Sequence, residues 1–212
     1  MRKYLELGGA LAAVVLIGFG IAAIVMGLGG RSEVQTALKQ QAVTGTPDMT
    51  PTAITAEARK AGLNTATLEL PTCTAANKAV TNGSTARCFA TYMRIHALEQ
   101  TSGKSYSQMP RYASANGQGT NEASAALKDP QGKPVDNPAR NVWVTETALS
   151  TALNASYMGE QMALFGVVVG IALLLAGVGF AVITAAGALR NPQTAIGFLR
   201  RHHERGAPVP AH

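Results

Sequence analysis

The chain has 212 residues, with 18 Lys and Arg against 12 Asp and Glu and 47% hydrophobic residues. Two blocks, Gly8–Leu28 and Gln161–Leu189, contain no charged residue, and each exceeds the roughly 20 apolar residues that a helix needs to cross a hydrocarbon core. This distribution excludes a single large soluble enzyme domain. It also excludes a channel or carrier folded from one copy, because two spans cannot surround a pathway.

The first apolar segment, residues 8–30, is predicted to be a retained transmembrane helix that follows a short N-terminus, residues 1–7. The positive start Met1-Arg2-Lys3 before an apolar run is also typical of a secretory signal. However, the uncharged run is longer than the roughly 7–15 residues of a signal core, and it ends at Gly29-Gly30-Arg31 without a small-residue cleavage site. We therefore expect an anchor.

Basic residues next to the two spans predict that both termini face the cytoplasm of a plasma-membrane protein. Acidic residues in these flanks are only Glu6 and Glu204, whereas the basic ones are Arg2, Lys3, Arg190, Arg200, Arg201 and Arg205. The tail, residues 190–212, is predicted to contact lipid headgroups. Residues 31–160 then lie outside the cytoplasm, and their 12 basic and 10 acidic residues give no nucleic-acid footprint.

Both cysteines, Cys73 and Cys88, fall in this extracytoplasmic segment. Since disulfides persist in oxidising compartments, we expect a bond between them. It would close a loop of about 15 residues and contribute about 3 kcal/mol in the chain-entropy model. The alternative is a pair of small buried thiols. Because a C-x-x-C motif is absent, the bond is expected to be structural rather than catalytic.

The extracytoplasmic segment is predicted to be a small, mostly helical domain. The first helix continues outward to about Gln41, and a second helix begins with Thr50 as N-cap and Pro51 as first residue and stops at Gly62. Residues 63–70 alternate well enough for a short strand or extended segment. A third helix begins near Ser84 and ends before Gly103.

Residues 103–137 are rich in Gly, Ser, Asn, Gln and Pro, which predicts a long polar loop with a brief helical possibility at 121–128. Asp136-Asn137-Pro138 is a helix-start signal, and no proline follows until Pro192. We expect one helix of about 50 residues from there through the second span, residues 161–189. The predicted partner contacts are Met109, Arg111, Tyr112 and Trp143.

Two composition features favour assembly with other subunits. Only 17 of the 130 residues from Arg31 to Glu160 are Leu, Ile, Val or Phe, which is below the roughly 20% found at the edge of disorder. The second span also carries small residues at helix-packing spacing, with the first span, another copy or a different subunit as possible partners. These predicted helix-packing residues are Gly166, Gly170, Gly177, Ala181 and Ala185.

Residues for catalysis are scarce, so no catalytic, cofactor-binding or metal-binding residue is predicted. Neither span contains an ionisable residue, and the segment between them has one histidine, His96. A lone histidine on an apolar helix face is more often a packing residue than a ligand. The tail motif His202-His203-Glu204 is weak, because neighbouring residues on a helix point in different directions. We expect no enzyme and no cofactor.

Six short motifs of the chain carry a family resemblance: Leu70–Cys73, Ala86–Ala90, Tyr92–His96, Met109–Tyr112, Val135–Arg140 and Trp143–Leu149. They resemble a family of small actinobacterial two-span membrane proteins, and the resemblance covers most of the chain. Members of that family often carry the label of aromatic ring-opening dioxygenase. A non-haem iron oxygenase of that kind uses two histidines and a carboxylate, which one extracytoplasmic histidine cannot supply.

Together, these features predict a non-enzymatic structural or accessory subunit of a larger membrane assembly in the cell envelope. Two alternatives stay open. One is a homo-oligomeric ring or pore, which the small residues of the second span permit. The other is an extracytoplasmic sensor or ligand-binding protein, which would need a separate output partner because the tail is too short for a signalling domain.

Overall fold

The computed structural model describes residues 2–189 and is mainly helical, as predicted. The elements are α1 (Arg2–Gln40), α2 (Pro51–Lys60), α3 (Gly83–Gln100), a short 3-10 helix (Tyr106–Gln108) and α4 (Ala139–Leu189). Within residues 2–189 there is no β-strand, only isolated bridges. The predicted tail, residues 190–212 with His202, His203 and Glu204, lies outside the described residues.

Helices α1 and α4 are the two long helices that the uncharged blocks predict. Each is long and apolar enough to cross a membrane. The predicted continuation of α1 beyond its apolar block and the single helix of about 50 residues are confirmed, since α4 has 51 residues. The chain divides into two compact units. We call residues 2–29 with 163–189 the apolar helix pair and Gly30–Met162 the middle domain.

The apolar helix pair packs closely at glycines. A Cβ atom added at Gly20 would lie 2.8 Å from the carbonyl oxygen of Gly170, and one added at Gly170 would lie 2.7 Å from that of Gly20. Such distances leave no room for a side chain, so the two backbones are in direct contact. The outer surface of the pair is apolar and exposed, for example at Phe19, Phe165 and Val182.

The middle domain has a continuous core despite its few large aliphatic residues. Its main cluster includes Ile54 from α2, Tyr92 and Ile95 from α3, and Leu153 from α4. Alanines fill much of the remaining space, among them Ala58, Ala75, Ala86 and Ala90. Because alanine lets helices approach closely, a small number of large side chains is enough to close the core.

Capping residues define α2 and α3. Thr50 accepts a hydrogen bond from Ala53 N at 3.2 Å at the start of α2, and Gly62 follows that helix with φ +77°. Asn82 and Thr85 form a capping box at the start of α3. These caps place both helices within a few residues of the predicted bounds.

Residues 63–70 contain a turn at 65–67 and a bend at 68, so of the predicted strand or extended segment, the strand is wrong. The side chain of Asn64 accepts a hydrogen bond from Ala66 N at 3.1 Å, and Thr67 donates its hydroxyl hydrogen to the Asn64 carbonyl at 3.2 Å. These local hydrogen bonds compete with an extended backbone. The alternation of apolar residues and threonine therefore did not indicate a strand here.

The polar loop between α3 and α4 is held by backbone hydrogen bonds. Tyr112 forms bridges to Thr120 and Asp136, and Lys128 forms one to Pro134. Residues 121–128 contain a turn and a bridge rather than the possible helix. The loop ends at Asn137, whose side chain accepts from Ala139 N at 3.1 Å and starts α4.

Candidate functional site

Cys73 and Cys88 form the predicted disulfide, with their Cα atoms 6.0 Å apart. It ties the segment before α3 to the first turns of that helix. Beside it, the buried Tyr92 donates its hydroxyl hydrogen to the Cys73 carbonyl at 2.5 Å. Burial raises the pKa of the Tyr92 phenol, so this group stays a neutral donor. The disulfide and the Tyr92 hydrogen bond together hold the segment around Cys73 against α3.

Two of the four predicted partner contacts are core residues. Met109 and Trp143 are only 7% and 6% exposed and form a second core cluster with Ala97. The indole N–H of Trp143 donates to the Lys104 carbonyl at 2.8 Å, so its polar atom has a partner inside the chain. Burial removes both side chains from the surface.

The other two predicted contacts lie at the surface of the polar loop. Arg111 is exposed, and its guanidinium lies 5.1 Å from the ring centre of the half-buried Tyr112. These two side chains stack on each other. The predicted contact surface is therefore reduced to this pair.

The predicted helix-packing glycines face the first span of the same chain. An added Cβ at Gly177 would lie 2.7 Å from Ile17, and one at Gly166 would lie 3.7 Å from the Ala23 carbonyl oxygen. With Gly170, they line the contact inside the apolar helix pair. Ala181 is half-buried and Ala185 is exposed. Of the three possible partners, the first span occupies the glycine positions.

The part of α4 in the middle domain has an exposed face that sequence analysis missed. Val144 and Met158 are 56% and 63% exposed, and the smaller residues between them on this face are exposed as well. The sequence does contain the pattern of this face, because its residues are separated alternately by four and three positions, an average of 3.5 residues. We call this set the outward face of α4: Val144, Ala148, Thr151, Ala155 and Met158.

This face is uncharged over its whole length of about four helical turns. Between Asn141 and Gly159 the only charged residue is Glu146, which is 5% exposed and points inward. A helix that faces water normally carries charged residues on its outer side. The outward face of α4 therefore differs from an ordinary solvated surface.

An open groove of about 750 Å³ lies between α3, α4 and the segment before the disulfide. Its wall carries two exposed guanidiniums, Arg87 and Arg94. Arg87 lies 4.8 Å from the ring centre of Tyr157, and Arg94 lies 5.9 Å from that of Trp143. Glu146 also lines the groove. The aromatic rings orient both arginines, and such a pair suits an anionic ligand.

His96 lies among carboxylates rather than in the apolar core. Its ring is half-buried, with Nδ1 3.2 Å from Glu99 Oε2 and Nε2 3.5 Å from Asp48 Oδ2. Asp48, Glu57 and His96 can each turn one ligand atom toward a common point, with these atoms within 4.8 Å of one another. Sequence analysis missed this group because Asp48 and Glu57 are far from His96 along the chain.

No protein-family profile, curated protein or solved structure matches this chain.

Proposed function

We propose that the protein is a non-enzymatic accessory subunit of a membrane protein assembly in the cell envelope. The observation that carries the proposal is the outward face of α4, which is exposed and uncharged. Helix–helix contacts between subunits use such faces, because small and apolar side chains at 3.5-residue spacing pack against a neighbouring helix. The face would be buried once a partner helix is in place.

The contrast with α3 supports this choice. Helix α3 exposes Arg87 and Arg94 on its solvent side, as a soluble helix does. Between Asn141 and Gly159 of α4 the exposed positions are threonine, asparagine, alanine, valine and methionine. The lack of charge is confined to one surface of the domain, which fits a specific contact better than a general shortage of charge.

The proposed topology places both termini in the cytoplasm and the middle domain outside it. The apolar outer surface of the helix pair suits lipid, and the basic flanks favour this orientation. The disulfide agrees with it, because an oxidising compartment preserves such a bond. Membership of the actinobacterial two-span family is part of this proposal and rests on the sequence motifs alone.

Charge insertion on the outward face tests the proposal. Ala148→Glu and Ala155→Glu would place a carboxylate in the contact, where an unpaired buried charge costs several kcal/mol. After purification in mild detergent we expect at least about a tenfold loss of co-purifying subunits, because 1.4 kcal/mol already corresponds to a factor of ten. Native mass measurement gives the composition of the complex.

Ala56→Glu is the matched control, since Ala56 is an exposed alanine on α2 and should leave the complex unchanged. The mass of the wild-type complex also separates an accessory subunit from a ring of identical copies. A wild-type protein that is monomeric in mild detergent, with both α4 variants unchanged, would contradict the proposal.

The groove favours a second candidate, an anion-binding extracytoplasmic receptor with a separate output partner. Its support is the pair Arg87 and Arg94 held over aromatic rings. Titration of the purified protein with inorganic phosphate and with a dicarboxylate should show saturable binding that the double variant Arg87→Ala, Arg94→Ala loses. Binding that survives both substitutions, or no binding at all, would count against this candidate.

A further inference from the structure

We propose that Asp48, Glu57 and His96 bind a divalent transition-metal cation, with zinc as the reference ion, and that Glu99 positions the histidine. The residues come from three places in the middle domain. Asp48 precedes α2, Glu57 lies on α2, and His96 and Glu99 lie on α3. The inference is independent of the accessory-subunit proposal.

Charge is the first argument for a cation. Three carboxylates, from Asp48, Glu57 and Glu99, surround a single imidazole. Within residues 2–189, no Lys or Arg forms an ion pair with any of the three. The cluster is therefore negative even when His96 is protonated. One divalent cation would neutralise Asp48 and Glu57 while His96 binds it through a neutral nitrogen.

The geometry is close to that of a metal site. Nitrogen and oxygen ligands at zinc distances are about 3.4 Å apart at the corners of a tetrahedron. His96 Nε2 and Asp48 Oδ2 are already 3.5 Å apart, and the full set lies within 4.8 Å. The Glu57 side chain is free to rotate toward the other two ligands, because within residues 2–189 it forms no hydrogen bond and no ion pair.

Glu99 orients the His96 ring. Its Oε2 lies 3.2 Å from His96 Nδ1, which places the proton on Nδ1 and directs the Nε2 lone pair toward Asp48. Metal-binding histidines are commonly oriented by a carboxylate in this way. The other oxygen, Glu99 Oε1, is buried without a hydrogen-bond partner. Glu99 therefore has the imidazole as its main polar contact.

Three protein ligands leave a fourth position open, for a water molecule or for a side chain of a partner. Imidazole suits zinc, copper, iron and nickel, and one nitrogen with two oxygens favours zinc over the harder Mg²⁺ and Ca²⁺. The site differs from the two-histidine, one-carboxylate arrangement of ring-opening dioxygenases. A metal ion at this site would therefore not support the dioxygenase label.

The chain allows a specific test, because its other three histidines are His202, His203 and His212 in the tail. Replacing these three with Gln gives a full-length background in which His96 is the only histidine. Calorimetric titration of this protein in detergent with Zn²⁺ should show one saturable site per chain. His96→Gln in the same background should weaken binding by at least a hundredfold.

Two further variants keep the test decisive if His96→Gln unfolds. Asp48→Asn changes a partly exposed loop residue and should also weaken Zn²⁺ binding, and Glu99→Gln should weaken it by about 10–100-fold as a positioning residue. Glu122→Gln is the matched control, since Glu122 is an exposed carboxylate outside the cluster. Co²⁺ absorption reports the ligand geometry directly.

No saturable Zn²⁺ binding in the histidine-free-tail background would overturn the proposal. So would binding that is unchanged in both Asp48→Asn and a folded His96→Gln protein, with folding checked by circular dichroism. In either case the cluster only holds the His96 ring between carboxylates, without a metal ion.

Discussion

Glu160 is a carboxylate shared by three helices of the middle domain. It accepts hydrogen bonds from Arg31 Nε at 2.9 Å, from Gln35 Nε2 at 2.8 Å and from Gly83 N at 2.5 Å. Burial raises the pKa of this carboxyl, but the hydrogen bonds from Gln35, Gly83 and Arg31 together outweigh it and hold the pKa below its usual range. The ionised form is therefore the one that holds α1, α3 and α4 together.

Replacing Glu160 with Gln should destabilise the middle domain by about 1.5–3 kcal/mol at neutral pH, the range for hydrogen bonds to a charged group. Because the folded pKa is the lower one, the contribution is present above the unfolded pKa and is lost as pH falls through the folded value. The stability difference between wild type and variant should shrink toward low pH. Thermal unfolding in detergent from pH 7 to pH 3 measures it.

Glu122→Gln serves as the comparison, since Glu122 is exposed and its side chain forms no hydrogen bond or ion pair within the described residues. Its stability difference from wild type should be small at all pH values. A Glu160→Gln difference that is constant from pH 7 to pH 3 would show that the carboxylate is not ionised in the folded state.

The disulfide could be predicted from sequence because compartment and cysteine number constrain it strongly. The Glu160 contacts could not, since Arg31 and Glu160 are 129 residues apart and no local pattern relates them. The same holds for the His96 cluster. Sequence indicates which residues are ionisable, but the fold decides which of them meet.

At the scale of elements, the first residue of α3 fits tightly against α4. A Cβ at Gly83 would lie 2.8 Å from Tyr157 Cα and 2.9 Å from Glu160 Oε2. Helix starts and ends were predicted well, because caps such as Thr50 and Asn82 are local signals. The failure at residues 63–70 is also local in origin, because Asn64 forms hydrogen bonds with its neighbours and turns the chain.

Gly83→Ala should destabilise the domain by about 1–3 kcal/mol, the usual range for overpacking a close contact. The substitution pushes α3 from α4 and weakens the hydrogen bond from Gly83 N to Glu160. Ser84→Ala, at the exposed neighbouring position, should stay within about 0.5 kcal/mol of wild type. Near-ultraviolet circular dichroism during unfolding follows both variants, and equal stabilities would contradict the close α3–α4 contact.

At the scale of the whole molecule, the glycine pattern of the second span predicted close helix packing without identifying the partner. The spacing of glycines and alanines shows which face of the helix carries small residues. It does not show whether the helix that packs there belongs to the same chain or to another one. The structure places Gly170 against Gly20 and Ile24 of α1. These glycines are therefore used within the chain, and the outward face of α4 is the surface left for another subunit.

Gly170→Leu should separate the apolar helix pair at a cost of about 1–3 kcal/mol. Gly179→Leu is the matched control on the same helix, because a Cβ there has nothing within 4 Å. Both proteins should insert normally, since leucine is acceptable to lipid. Disulfide cross-linking between cysteines introduced at Gly9 and Thr184, whose Cβ atoms would lie 3.9 Å apart, measures pairing, and equal yields in both variants would contradict the packing.

The contact between Arg31 and Glu160 joins two parts of the chain that are synthesised at different times. These residues are 129 positions apart, and at about 5–20 residues per second a ribosome needs roughly 6–26 s to pass from one to the other. During that time α1 exists without the helix that it packs against. A nascent chain that stalls before Glu160 leaves Arg31 and the apolar part of α1 without the helix that they contact, and we expect it to be recognised by the chaperones and proteases that clear incompletely folded proteins.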